Sequence, residues 1–230
     1  MKIVIIGAME EEIKLLQQQI SGGQQKDIRH LEVFIGSIHA HEVYLVQSGI
    51  GKVASALASA LLIETFSPDL VINTGSAGGF DPDLDIGDIV IADSLMYHDV
   101  DVSHFGYERG QVPTMPKQYV TESRASTAAF EAAHTLEGIQ VKTGLVCSGD
   151  SFIGSDEAAA EIRSAFPKMK AVEMEGASIA QACHMMNTPF AVIRSLSDIA
   201  GKTSTVSFET YLEKAAKHSA LLVLGMLERL

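Results

Sequence analysis

The chain has 230 residues, 47 % of them hydrophobic and 20 % charged, and 17 Lys plus Arg against 29 Asp plus Glu leave a formal charge of −12. That balance excludes a binder that works by neutralising nucleic-acid phosphates. The apolar content excludes a disordered chain, and no run reaches the roughly 20 apolar residues of a membrane span. Two cysteines, Cys147 and Cys183, cannot build a disulfide scaffold and point to a reducing, cytoplasmic setting.

Lys2–Ile6 is a β-branched run ending at Gly7. It reads as a buried first strand rather than a secretion signal, because it runs straight into Glu10-Glu11-Glu12. Glu10–Ile20 predicts a helix with acids in its first turn, where the helix dipole favours them. Leu31–Ile38 and Glu42–Ser48 predict two strands joined by a short polar turn. Gly49-Ile50-Gly51-Lys52 opens a helix from Val53 to Phe66, and Leu70–Asn73 is another buried strand, followed directly by a Gly75–Gly79 loop. Ile89–Ala92 predicts a strand, and Asp93–Tyr119 a long irregular stretch of the kind that carries function. A helix over Glu122–Glu137, a strand over Val141–Cys147 and a helix over Ala158–Phe166 come next. Ala171–Met174 predicts a strand leading through Glu175-Gly176 into a helix to Met186. Phe190–Leu196 predicts a strand ending at Ser197-Asp198, and Phe208–Leu227 a final amphipathic helix. Alternating strands and helices mean an α/β fold around a largely buried sheet. No repeat, low-complexity tract or linker interrupts the order, which predicts one domain over residues 1–230.

Polar and Gly-rich residues collect just after strands, at Gly7–Met9, Gly75–Gly79, Ser148–Asp150, Glu173–Glu175 and Ser197-Asp198. Ligands of open α/β sheets sit at the carboxyl ends of strands, so these five ends predict one pocket. Gly75-Ser-Ala-Gly-Gly has little bulk and suits close backbone approach to a ligand. It is neither a Walker loop nor a dinucleotide fingerprint. One of Glu10, Glu11 and Glu12 faces the sheet, though spacing does not say which. Glu173 and Glu175 stand at i and i+2, on one side of an extended segment, and a carboxylate there suits a vicinal diol. Asp198, at the exit of a buried strand, is placed to be desolvated and to act as a proton donor. His98, His104 and Cys147 lack metal-ligand spacing, so neither a metal nor another cofactor is expected.

These motifs together resemble the 5′-methylthioadenosine/S-adenosylhomocysteine nucleosidases of the nucleoside phosphorylase superfamily. The resemblance rests on Ile5–Glu12, Ser48–Val53, Asn73–Gly79, Tyr97–Asp101, Phe105–Tyr107, Ser148–Ile153, Ala171–Gly176, Arg194–Asp198 and Ser207-Phe208, in the family's order. It implies a three-layer α/β/α sandwich around a mixed central sheet, a homodimer, and hydrolysis of adenine thionucleosides at the N-glycosidic bond. By resemblance, Glu12 is the base that activates water, and Asp198 is the acid at adenine N7. Glu175 grips the ribose hydroxyls with Met174 beside the sugar, Phe152 stacks on adenine, and the Ile153 backbone reads it. Ser76 and Gly78 line the floor, and Met9, Ile50 and Phe208 wall the 5′-thio group. Ser197 adjoins the acid, Arg194 supports the site, and Phe105 is contributed by the partner subunit.

The chemistry agrees with that assignment. Breaking a ribosyl–adenine bond needs a proton on the leaving base and a carboxylate to aid water, much as in inverting glycosidases. A phosphorylase would instead need cations for phosphate, and the first loop carries acids and no Arg. The rival readings are a purine nucleoside phosphorylase or an aminodeoxyfutalosine nucleosidase on the same fold, and a non-catalytic nucleoside-binding module. Gly176 stands where some family members carry a slightly larger residue, a change expected to alter packing little.

Overall fold

The computed structural model describes residues 1–201 and 204–230. The strands are β1 (Lys2–Gly7), β2 (Ser21–Ile28), β3 (Leu31–Ile38), β4 (His41–Gln47), β5 (Leu70–Gly79), β6 (Ile89–Tyr97), β7 (Tyr119–Val120), β8 (Val141–Ser148), β9 (Met169–Glu173) and β10 (Phe190–Ile199). The α-helices are α1 (Glu10–Gln18), α2 (Lys52–Phe66), α3 (Ser123–Ala133), α4 (Asp156–Ala165), α5 (Gly176–Met185) and α6 (Ser204–Leu227), and Ser103–Phe105 forms a 3₁₀ turn. None of the described helices is long and apolar enough to cross a membrane.

All the strands join one mixed sheet. β1 sits inside it, parallel to β4 on one side and to β5 on the other, and Ile3, Val4, Ile5 and Ile6 are fully buried. A strand covered on both faces reads as a continuous apolar run, which is why Lys2–Ile6 was legible. Val4 and Ile6 pack with α2 and α5, while Ile3 and Ile5 pack with α1, α3 and α6 on the opposite face. The result is a three-layer α/β/α sandwich around a mixed sheet. Part of that sheet also closes on itself. β10 pairs parallel with β5 and antiparallel with β6. β6, β8 and β9 run parallel, and β9 returns to β5 through Gly78↔Val172 and Gly79↔Ala171. Closure leaves these five strands without a free edge.

β5 therefore serves two neighbours in turn. Its first half pairs with β1 as far as Ile6↔Asn73, and its second half leaves β1 to meet β9. α6 fixes the point of departure: the buried Ser219 hydroxyl bonds to Thr74 Oγ1 and accepts the Gly75 N–H at 3.1 Å.

Several predicted boundaries change. Gly75–Gly79 is the second half of a strand rather than a loop, and β6 and β10 run on to Tyr97 and Ile199. Gly75–Gly79 and Ser197-Asp198 are small or polar and carry little strand signal, and Asp93-Ser94 interrupts the apolar run of β6 before Leu95–Tyr97. Ring closure supplies the pairing that makes these stretches strands. β2 was not foreseen. It is an edge strand whose residues are nearly all exposed, so neither face imprints an apolar alternation. α6 begins one turn before Phe208. Gly176 is tighter than expected, since a Cβ there would lie 2.6 Å from Cδ2 of the buried Leu95 and 3.1 Å from Glu173 Oε1.

Ser219→Ala removes the group that satisfies Gly75 and Thr74 inside the protein. The variant is expected to be less stable by about 1–3 kcal/mol in urea unfolding, with an unchanged denaturant slope.

Candidate active site

Where β1 and β5 part, the amides of Ala8, Met9 and Ser76 face a gap instead of a ladder. The Glu12 carboxylate fills it. Oε2 accepts the N–H of Ala8 at 2.8 Å and of Met9 at 3.2 Å, while Oε1 accepts the N–H and the hydroxyl of Ser76 at 2.9 and 3.0 Å. Glu12 occupies the third position of α1, so reaching back to the amide of Met9 is ordinary helix-start geometry. Of the three acids that open α1, Glu12 is the buried one, and Glu10 and Glu11 are exposed. Gly75 is obligatory beside it, because a Cβ there would stand 2.5 Å from both Glu12 Oε1 and Arg194 Nη1.

A second carboxylate system lies at the end of β9. Glu173 accepts the amides of Glu175 and Gly176 at 3.0 and 2.7 Å, so it caps the start of α5, and it also accepts the Ser148 hydroxyl. Its other partner is the fully buried Arg194 guanidinium. Arg194 Nη2 also donates to Asn73 Oδ1 at 2.5 Å and lies 3.5 Å from Glu175 Oε2. Burial works against the Arg194 charge, but Glu173, Glu175 and Glu12 outweigh it and raise the pKa. Glu175 is the opposite case. Desolvation, reinforced by the neighbouring Glu173 charge, pushes its carboxyl up to about 7. Its Oε1 accepts the N–H of Gly51, at the entry to α2, at 2.9 Å.

Asp198 lies near the end of β10, 3 % exposed, with the Ser197 hydroxyl donating to Oδ1 at 3.0 Å. Its Oδ2 would be 3.3 Å from a Cβ at Gly78. Ser76 and Gly78 are i and i+2 on β5, so Glu12 and Asp198 address the same strand about 6–7 Å apart along it.

The cavity between these groups has a volume of about 280 Å³. Met9, Glu12, Ile50, Ser76, Gly78, Phe152, Met174, Glu175, Ser197, Asp198 and Phe208 all line it. Phe152 and Phe208 meet edge to face at its mouth, with ring centroids 5.8 Å apart. Ile153 lies in an adjoining recess of about 40 Å³ that shares Gly78, Phe152 and Asp198 with the main cavity. Arg194 sits behind the carboxylates. Phe105 alone among the predicted residues is elsewhere: 77 % exposed on its 3₁₀ turn, it does not line this cavity. Ala8, Ala77 and Val172 also line the cavity, and so does Glu173, which the sequence pairs with Glu175 at a strand end. The acidity of Glu173 next to Glu175 is the signal that marks it. The others are small or aliphatic and carry none.

The phosphorylase superfamily model matches residues 2–228. Proteins named 5′-methylthioadenosine/S-adenosylhomocysteine nucleosidase from Tolumonas auensis and Bacillus subtilis are 48 % and 47 % identical over 230 residues, each match covering the whole of both chains. The crystal structure of such a nucleosidase from Colwellia psychrerythraea in complex with adenine has a TM-score of 0.98 at 49 % identity, covering 100 % of this chain and 96 % of that one. That from Neisseria meningitidis, in complex with methylthio-immucillin-A, has a TM-score of 0.98 at 44 % identity over 100 % and 99 % of the two chains. Sequence and fold agree from end to end, and the chain belongs to the 5′-methylthioadenosine/S-adenosylhomocysteine nucleosidase family of the phosphorylase superfamily.

Proposed function

We propose that this chain is a single-domain cytoplasmic hydrolase that splits 5′-methylthioadenosine and S-adenosylhomocysteine into adenine and the thioribose product. The observation that carries this reading is the pair Glu12 and Asp198, which approach Ser76 and Gly78 of β5 from α1 and β10, with Glu175 in the same cavity. Inverting glycosidases likewise hold acid and base apart to admit a water, and here Glu12 and Asp198 meet β5 at Ser76 and Gly78, two residues apart. Asp198 gives its proton to N7 of the leaving adenine, with Oδ1 held by Ser197. Glu175 accepts the ribose hydroxyls. The fixed carboxylates favour the positive charge that develops on the sugar.

Glu12 takes the proton of the attacking water. Three of its four donors are backbone amides that cannot turn away, and the fourth is the Ser76 hydroxyl, which can. Rotation of Ser76 frees a lone pair of Oε1 for water without disturbing the rest of the cradle. Phosphate has no comparable reception. No Lys or Arg is among the described residues lining the cavity, and Arg194 is already committed to Glu173 and Asn73. Glu12→Gln and Asp198→Asn are each expected to lower kcat by at least about 10²-fold while the far-UV spectrum is retained. In the unmutated chain, adenine release should be equal with and without phosphate and should yield the free sugar. A ribose 1-phosphate product would overturn the hydrolase.

The raised pKa of Glu175 sets the acid side of the pH profile. In the free enzyme the neutral acid dominates below about 7, and the carboxylate, the form that accepts two hydroxyl protons, dominates above it. kcat/KM should therefore rise with pH through that value, and Glu175→Gln should remove this limb.

The functional unit in this reading is a homodimer. Phe105 is 77 % exposed, and Ile50, at the cavity mouth, lies beside Val53 and Leu57 of α2, which are 79 % and 47 % exposed. Such a patch at a substrate entrance suits a second copy of the chain, whose Phe105 would complete the wall around the 5′-thio group. Phe105→Ala should raise KM for methylthioadenosine. Mixed dimers of Phe105→Ala and Glu12→Gln should recover turnover at normal KM, because one of their two sites is intact. No recovery on mixing would place Phe105 outside the partner's site.

A further inference from the structure

The two grips on the nucleoside proposed above come from different parts of the chain. Glu175 is oriented by the Gly51 N–H, next to the first residue of α2. Phe152 and Ile153 follow β8 on the segment that starts at Gly149. One small charged cluster joins the two. Lys52 Nζ bonds to Asp99 Oδ2 at 2.6 Å and lies 3.8 Å from Asp150 Oδ2, and its backbone N–H donates to Asp150 Oδ1 at 2.8 Å. The Asp150 N–H in turn donates to Asp99 Oδ2 at 3.0 Å. Asp99 thus holds the start of α2 and the start of the Phe152 segment with a single oxygen. Desolvation opposes its charge, but Lys52 and the Asp150 amide outweigh that and keep its carboxyl below the usual range.

Neighbouring contacts leave the cluster little freedom. The His98 N–H donates to the Ser148 carbonyl at 2.9 Å, and the Gly149 N–H donates to the Glu173 carbonyl at 3.1 Å. A Cβ at Gly149 would stand 2.4 Å from two atoms of the His98 ring and 3.0 Å from Asp99 Cγ, so only glycine lets the Phe152 segment pass this close. Lys52 also lies over the Tyr97 ring, 5.4 Å from its centroid.

We propose that Asp99, through Lys52 and Asp150, is a positioning residue for substrate: it sets the separation between the ribose carboxylate and the adenine-stacking segment, and so tunes binding rather than the chemical step. The inference rests on the nucleosidase reading, because it needs both grips to act on one molecule. Asp99 does not line the cavity and touches neither the bond that breaks nor the attacking water.

The test is steady-state kinetics on methylthioadenosine for Asp99→Asn, Asp99→Ala, Lys52→Met and Lys52→Arg, with melting temperatures measured alongside. Losing a charged hydrogen-bond hub should raise KM about tenfold for Asp99→Ala and Lys52→Met, leaving kcat within about threefold. Lys52→Arg, which keeps the charge, should restore KM. The side chains of Lys52 and Asp99 are 26 % and 25 % exposed, so added salt reaches the pair. KM of the unmutated chain should rise with ionic strength, and that of Asp99→Asn should rise less. If Asp99→Ala does not fold, Lys52→Met and the salt series give the same reading. Unchanged KM in the soluble variants, or a fall in kcat that follows the loss of melting temperature, overturns the inference and leaves the nucleosidase reading intact. No adenine release by the unmutated chain overturns both.

Discussion

The separation of β5 from β1 is the constraint on which the rest depends. A strand that changes neighbours leaves unpaired amides, and buried amides without partners each cost about 1–3 kcal/mol. Here the amides of Ala8, Met9 and Ser76 are all satisfied by the Glu12 carboxylate. The same atoms therefore solve a folding problem and supply the proposed base. The gap cannot be closed by moving β5 back, because its second half is held between β9 and β10 and its turning point is held by Ser219.

The second organising element is the fully buried Arg194. Three carboxylates, Glu12, Glu173 and Glu175, act on its charge, and of these Glu173 carries the contact that also caps α5. A buried charge is tolerable only when paired and hydrogen-bonded, and the pairing here is uneven. Glu173 has amides, a hydroxyl and Arg194, whereas Glu175 has one amide and a longer approach to the guanidinium. Of the two, Glu175 is accordingly the one whose charge is less supported. Desolvation, which so few donors offset, raises its carboxyl toward neutrality while Glu173 stays paired.

Much of the site was legible in the sequence, for a physical reason. Residues that must sit at strand ends or helix starts occupy fixed places relative to apolar runs, so Gly7–Glu12, Glu173–Glu175 and Ser197-Asp198 announced themselves at the ends of β1, β9 and β10. The conversion of Gly75–Gly79 from loop to strand, and the unforeseen β2, mark where that logic fails. Glycine and serine have no side-chain preference strong enough to declare a strand, and a polar edge strand is defined by its partner alone. Phe105 marks another boundary, because its motif carries no sign that the side chain stands exposed and outside the cavity.

The sequence by itself determined the order of elements, the buried character of β1, the acids at the strand ends and the family to which the chain belongs. Each of these is local: it is written in a run of apolar residues or in a motif of a few positions. The tertiary structure decided which of Glu10, Glu11 and Glu12 turns inward, that Glu173 serves Arg194 and α5 while Glu175 faces the cavity, and that Lys52, Asp99 and Asp150 form one cluster. It also decided how tightly Gly75, Gly149 and Gly176 are packed. These depend on pairings between positions far apart in the chain, fixed only when ring closure brings β5, β9 and β10 together. No local pattern encodes that closure.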